Sequence, residues 1–197
     1  MTITAPAGED RWEERLIATL RPFVPTPTHR GNPGALAELR RYTQGQLPSA
    51  GTLSPILAEL PGWADESHMA DVLLVAGLLA RHPEHSAQHR SFGASLGAYR
   101  NAKHPGADSA PIDTRLRVLL ATPRSGLDHP LRQAIPLLSG GSVPVNYAQL
   151  LRDVMAWDNV RLRPDGLTYA EAVRLRWLRD YAHTPPSAAM TKPVIFP

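Results

Sequence analysis

The sequence has no cysteine, so it can form neither disulfide bonds nor thiolate metal sites, and a disulfide-stapled secreted scaffold is excluded. Its N-terminus lacks a basic region followed by an apolar one, so we expect no signal peptide. The most apolar run, residues 69–80, is too short to span a bilayer and contains Asp71. These absences predict a soluble, cytoplasmic protein that makes no contact with a membrane.

The sequence also lacks the short motifs of common enzyme sites. It contains no GxxxxGKS/T or GxGxxG phosphate loop, no GxSxG nucleophile elbow and no HExxH zinc motif. Asp153 and Asp158 are five residues apart, so on one helix they would point to different faces, a poor geometry for paired acid and base catalysis. We therefore predict no catalytic residue, no cofactor and no enzymatic activity.

One cluster of potential metal ligands stands out, the stretch HPEHSAQH with His82, His85 and His89. His85 and His89 are four residues apart and would share a face if the segment were one helix, which would suit zinc. Pro83 and Ser86 instead place His82 and His85 at a junction between helices, and no third ligand is near in sequence. We predict no metal site; the alternative is a metal-dependent hydrolase that uses these histidines.

Acidic residues are scarce in the second half of the chain. Residues 111–197 carry 11 basic and 7 acidic side chains, whereas residues 1–110 carry 10 and 11. Of the 21 basic residues, 19 are arginine, which binds phosphate through paired hydrogen bonds, although a GC-rich genome would produce the same bias. The cationic second half is therefore the candidate partner of a polyanion.

Apolar residues recur at helical spacing in three segments within residues 112–157. In the first segment Ile112, Leu116 and Leu119 form one stripe, and Arg115 and Arg117 lie on its two shoulders. Arginine stems lie along apolar surface while their guanidinium groups reach solvent. Such a segment would hold positive charge at fixed positions on a helical body.

Capping residues mark the starts of other helices. Asn32 and Pro33 have the character of an N-cap and a first-turn proline. Asn146 is positioned to cap a later helix, and Thr168 with Glu171 forms a capping box for the last one. These signals predict where at least three helices begin.

Further helices are predicted by composition. A short helix is expected over residues 55–60, and Ser67 is expected to cap a helix that is apolar on nearly all sides. Another is expected over residues 86–103, where Gly93 and Gly97 form a small pair that lets a neighbouring helix approach closely.

The pattern shows no convincing strand pair and no tandem repeat. Residues 104–111 are small, polar and contain proline, so they are the best candidate boundary. We predict an all-α protein of two small helical lobes joined by a short linker. The lobes would comprise residues 1–104 and 112–183, followed by an extended or disordered tail over residues 184–197.

Basic residues are spread over several of these helices and loops. Aromatic residues make up 6% of the chain and mostly lie on apolar stripes, which argues against a base-stacking platform. Phosphate contacts position a strand but carry no sequence information. The sequence therefore predicts binding to nucleic-acid backbone without sequence preference. The predicted binding residues are Arg40, Arg41, Arg115, Arg117, Arg124, Arg132, Arg161 and Arg163.

Seven segments carry a resemblance to a known family. They are, in order, GALAELRRY, HMADVLLVAGLLARHP, SFGASLGAYR, DTRLRVLLAT, HPLRQAIPLL, VPVNYAQLLRDVMAWD and VRLRWLRDYA. Their order and spacing resemble the CasB family, the small subunit of the type I-E CRISPR Cascade complex, over roughly residues 34–181. The family's paired arginines and aromatic residue are replaced here by Thr114, Arg115 and Leu116, so the first arginine is lost and Arg117 is expected to compensate.

The resemblance implies a non-catalytic helical subunit that stabilises the guide RNA, the target DNA and the displaced strand of an R-loop. Its partners would be the other Cascade subunits, these nucleic acids and a second copy of itself. The positions that match basic residues of the family are Arg40, Arg41, Arg115, Arg124, Arg132 and Arg161. The alternative from another class is a helical protein–protein adaptor, whose arginines would dock on acidic partner surfaces with no direct nucleic-acid contact.

Overall fold

A computed structural model describes residues 11–42, 46–103 and 110–184. Regular structure in these ranges is helical, and extended residues pair only in isolated bridges, so the all-α prediction is confirmed. No helix within these ranges combines the length and apolarity needed to cross a membrane. The helices are α1 (Trp12–Leu20), α2 (Pro33–Arg41), α3 (Ala50–Ala58), α4 (Glu66–Arg81), α5 (Phe92–Lys103), α6 (Ala110–Ala121), α7 (Asp128–Gly140), α8 (Tyr147–Met155) and α9 (Tyr169–His183), with 3₁₀ turns at Arg21–Phe23 and Arg124–Gly126.

The chain divides into two compact units, Met1–Ala80 and Arg81–Pro197. The lobe limits expected from the sequence, 1–104 and 112–183, stay a prediction. The expected linker lies mostly outside the described residues, and so does the expected tail from residue 185 onward.

In the first unit, the cap of α2 is as predicted: Asn32 Oδ1 accepts a hydrogen bond from Ala35 N at 3.0 Å, and Pro33 occupies the first turn. The predicted short helix is longer than expected and begins at Ala50, so Pro55 lies inside α3. Ser49, Gly51 and Ser54 are typical turn residues, so the sequence did not indicate that the helix begins at Ala50. The cap of α4 is Asp65, not Ser67, because Asp65 Oδ1 accepts from Ser67 N at 2.9 Å.

In the second unit, α5 packs closely on α9. A Cβ atom added to Gly93 would lie 2.0 Å from Trp177 O, and one added to Gly97 would lie 2.7 Å from Tyr181 O, so only glycine permits this approach. The Phe92 and Trp177 rings lie 5.3 Å apart, and Trp157 lies 4.8 Å from Trp177, all three fully buried. The predicted small-residue pair is therefore a packing device at the centre of this core.

The start of α5 differs from the prediction, because residues 86–91 are not helical. Their backbone groups bond to distant partners: Ser86 N donates to Val145 O at 3.2 Å, and Asn146 Nδ2 donates to His89 O at 3.0 Å. Asn146 also caps α8, since its Oδ1 accepts from Gln149 N at 3.0 Å. A local pattern could not reveal bonds to residues about 60 positions away.

Candidate nucleic-acid interface

The C-terminal end of α6, the turn around Arg124, the loop after α8 and the start of α9 meet in one place. Asp158 joins them, because its Oδ2 accepts from the backbone N of Arg124 at 3.0 Å and its Oδ1 lies 3.5 Å from Arg174 Nη2. Trp157 Nε1 also donates to Thr122 O at 2.8 Å. The turn that carries Arg124 is thereby fixed to the loop that follows α8.

Arg174 is held at this junction by three contacts. Its Nε donates to Leu120 O at 3.2 Å, its guanidinium lies 4.9 Å from the centre of the Trp157 ring, and it reaches Asp158. A guanidinium over an indole face is attracted by the ring's electron density. Arg174 was not among the predicted binding residues, and its signal in the sequence is its place one turn before the buried Trp177 on α9.

Arg117 and Arg161 lie on two of the elements that meet at this junction. Both side chains are exposed, and neither forms a hydrogen bond or ion pair with any residue in the described ranges. Arg117 lies one turn before Leu120 on α6, and the carbonyl oxygen of Leu120 accepts from Arg174. The backbone of Arg161 is fixed because its carbonyl oxygen accepts from Tyr169 N at 3.1 Å, at the start of α9.

We refer to Arg117, Arg124, Arg161 and Arg174 as the α6–α9 cluster. Asp158 contacts Arg174, and Glu171 lies close enough to Arg174 for the two charges to interact. Hydrogen bonds from Thr168 N and Oγ1, both at 2.8 Å, lower the pKa of Glu171, and Arg174 adds to this shift. Arg174 therefore has acidic neighbours, whereas Arg117 and Arg161 make no ion pair with any residue that the structure describes, and their charges stay available.

Arg163 lies in the same loop, but its charge is compensated. Its Nη2 lies 3.1 Å from Asp165 Oδ2, and its backbone N donates to Leu167 O at 2.8 Å. An exposed pair of this kind contributes little to stability. Arg163 therefore shapes the loop that presents Arg161 but adds little net charge to it.

Arg115 and Arg132 do not join the α6–α9 cluster. Arg115 lies on the opposite shoulder of α6, as predicted, and lines a groove with Pro130 and Gln133 of α7. Arg132 forms an ion pair with Asp128 one turn earlier on α7, and its side chain is only 18% exposed. It lies about 160° around α7 from Pro130, so it faces away from the groove.

Arg40 and Arg41 belong to the first unit. Arg40 Nε donates to Ala80 O at 2.6 Å, and Arg41 Nε donates to Ala37 O at 3.1 Å. Glu38 lies close enough to Arg41 for that charge to contribute to lowering the Glu38 pKa, after hydrogen bonds from Thr52 and Ser49. Arg40 is therefore anchored to α4 and Arg41 to its own helix, and the two side chains diverge, as adjacent helical residues must.

The three histidines have separate partners. His82 Nε2 lies 2.7 Å from Val143 O, and His85 Nδ1 accepts from Tyr147 N at 3.2 Å. His89 Nδ1 lies 3.3 Å from Ser95 Oγ. Across residues 11–42, 46–103 and 110–184, no three metal-ligating side chains come close enough to share an ion.

A family model for the CRISPR-associated protein Cse2 matches residues 35–181 of this chain. That range contains the whole α6–α9 cluster and both arginines of α2. No curated protein matches the chain.

Solved structures share the fold. CasB from Thermus thermophilus is 24% identical with a TM-score of 0.62, over 86% of this chain and 97% of that one. CasB from M. ruber is 25% identical with a TM-score of 0.62, over 88% and 93%. A chain of a CRISPR RNA-guided surveillance complex is 19% identical with a TM-score of 0.61, over 88% and 92%.

Proposed function

Because the chain belongs to the Cse2 family of CRISPR-associated proteins, we propose that it is a non-catalytic subunit of a type I-E CRISPR RNA-guided surveillance complex that binds nucleic-acid backbone without reading sequence. The shared fold with a chain of such a complex supports this place in the assembly. Its partners there are the other subunits, the guide RNA, the target and displaced DNA strands, and a second copy of the chain.

The α6–α9 cluster is the observation that carries the proposal. Arg117 and Arg161 are exposed and make no competing ion pair in the described ranges, while Arg124 and Arg174 are anchored to the same junction. The Arg174 guanidinium is already positioned, so it loses little side-chain entropy when it meets a phosphate. The cluster is therefore suited to hold a sugar–phosphate chain, and it offers no base-reading pattern.

Such a subunit suits the energetics of an R-loop. The guide–target duplex is about as stable as the DNA duplex it replaces, so contacts between protein and backbone tip the balance. Sequence is read by pairing with the guide, and the protein needs only fixed positive charge. The arginine-rich junction supplies that charge without any catalytic group.

Salt dependence of binding tests this proposal. If each of the four arginines meets one phosphate of a single strand, the log–log slope of affinity against salt is about −3, which is roughly a 50-fold loss between about 50 and about 200 mM salt. Fluorescence anisotropy with a labelled oligonucleotide and the full chain measures it. Binding that is indifferent to salt would refute the proposal.

A second candidate, the protein–protein adaptor, is favoured by one observation. Leu175 and Leu178 lie on the outer side of α9 and are 50% and 48% exposed. Two half-exposed leucines on one helix face suit a protein partner. An adaptor would co-purify with its partner and show no binding to oligonucleotides at low salt, so the same titration separates the two functions.

A further inference from the structure

A cleft of about 450 Å³ lies at the other end of α9, against the loop before α5. Its walls include Gln88, His89, Arg90, Asp180 and His183. His183 follows Arg174 by nine residues, so the cleft is about 14 Å along α9 from the α6–α9 cluster. Its size is within the range of small-molecule sites, roughly 300–1,000 Å³.

The cleft is built from anchored elements. Asn146 Nδ2 holds the backbone of His89, as described above, and Ser91 Oγ donates to Asp180 Oδ2 at 2.8 Å. Asn101 Nδ2 donates to Thr184 O at 2.7 Å, which joins α5 to the end of α9. The loop, α5 and α9 are therefore fixed to one another around the cleft.

The hydrogen bonds assign the proton on each imidazole ring. Ser95 Oγ donates to Pro144 O at 2.8 Å, so it can only accept from His89, whose Nδ1 therefore carries the hydrogen. His183 Nδ1 donates to Arg179 O at 2.8 Å, because a carbonyl oxygen can only accept. Burial lowers the pKa of His89, which keeps this ring neutral and leaves its Nε2 as an acceptor, and in a neutral His183 ring the acceptor is likewise Nε2.

The charged groups of the cleft differ in whether they can still bind a ligand. Arg90 is exposed and has no hydrogen bond or ion pair within the part of the chain that the structure describes. The Asp180 carboxylate is already engaged, by Ser91 at one oxygen and by Arg179 Nη2 at 3.4 Å at the other. The cleft therefore offers one free cation beside two imidazole acceptors.

This combination selects among ligands. A free phosphate would need donors on all sides, whereas the imidazoles present lone pairs. A nucleotide carries both matching groups, a phosphate for the guanidinium and a base whose amino group can donate to Nε2. We propose that this cleft binds one unpaired nucleotide of the strand that the protein contacts, with Arg90 on its phosphate and His89 and His183 on a base that bears an exocyclic amine.

The inference rests on the proposed function and adds to it one base contact outside the α6–α9 cluster, whose phosphate contacts stay independent of sequence. A comparison of strands tests it. The full chain is titrated with an oligonucleotide of about 12 cytosines and with an abasic strand of the same length and charge. Stacking and hydrogen bonding to one base are worth about 1–3 kcal/mol, so the cytosine strand should bind at least about fivefold more tightly. Thymine lacks the amine, so a thymine strand should bind with an affinity between those of the cytosine and abasic strands.

Variants locate the preference. His183→Ala should abolish the preference for cytosine and leave abasic binding and the salt slope unchanged, whereas Arg90→Ala should weaken both strands. Arg30→Ala, which removes an exposed arginine of the first unit, is the charge-matched control, and circular dichroism verifies folding. Equal binding of cytosine and abasic strands, or a preference that survives in His183→Ala, would overturn this site alone. No binding of either strand would overturn the proposed function together with it.

Discussion

Replacing Arg117 and Arg161 together by alanine removes the two cluster arginines that have no partner within the described part of the chain. Because their side chains are exposed, the free energy of unfolding should change by no more than about 0.5 kcal/mol per site. A loss of binding in this variant would therefore reflect the lost charge at the interface and not a less stable fold. Arg174 is less suitable, since its side chain helps to hold the junction together, and Arg124 makes a further interaction of its own.

The expected effect follows from counterion release. Each lost phosphate contact flattens the log–log slope by about 0.7, so the slope should fall in magnitude from about 2.8 to about 1.4. Between about 50 and about 200 mM salt the double variant should lose roughly 7-fold in affinity, where the parent loses roughly 50-fold. The difference should be the same for strands of different sequence, because phosphates carry no base information.

The assay is a salt series of anisotropy titrations with the full chain. Arg21→Ala combined with Arg30→Ala is the control, because it removes the same charge from exposed positions of the first unit. If the control flattens the slope as much as the cluster variant does, net charge and not position determines binding. That result would refute the assignment of the interface to the α6–α9 cluster.

Three further predictions concern the scaffold, each measured by urea unfolding. Gly93→Ala should destabilise the second unit by about 1–3 kcal/mol or more, because the added Cβ would lie 2.0 Å from Trp177 O. Gly140→Ala is the control: no heavy atom lies within 4 Å of its added Cβ, so it should be neutral or stabilise by up to about 1 kcal/mol. Asn146→Ala should cost at least about 1 kcal/mol, because it removes the cap of α8, and no loss would contradict the cap. The pKa of Glu171 is held below its ordinary 4.5, so its ionised form stabilises the fold above that pH and the contribution disappears as the pH falls; Glu171→Gln should weaken the decline in stability between about pH 6 and about pH 3.

Local signals in the sequence predicted the parts of the fold that depend on neighbouring residues. The caps at Asn32 and Asn146 and the capping box at Thr168 are confirmed, because a cap bonds to a backbone group two or three residues away. The ion pair of Arg132 with Asp128 is also local, at four residues' spacing, and the sequence would have allowed it to be foreseen. The sequence did not identify Asp65 as the cap of α4, because Asp65 and Ser67 are both capping residue types and lie two positions apart.

The junction of the candidate interface could not be predicted in the same way. Asp158 contacts the backbone of Arg124 and the side chain of Arg174, and Arg174 also contacts Leu120. These residues come close only in the folded chain, where the end of α6, the turn around Arg124 and the loop after α8 meet α9, and no periodicity records such contacts. The sequence identified arginine as the relevant residue type, but tertiary packing decides which arginines act together.

Photocrosslinking inside the assembled surveillance complex tests the central claim most directly. Ala121 is exposed at the end of α6, one turn after Arg117, and can be replaced by a benzophenone amino acid without removing an arginine of the cluster. If the α6–α9 cluster holds a sugar–phosphate chain, irradiation should yield a nuclease-sensitive adduct to RNA or DNA. Adducts to protein subunits alone would contradict the account.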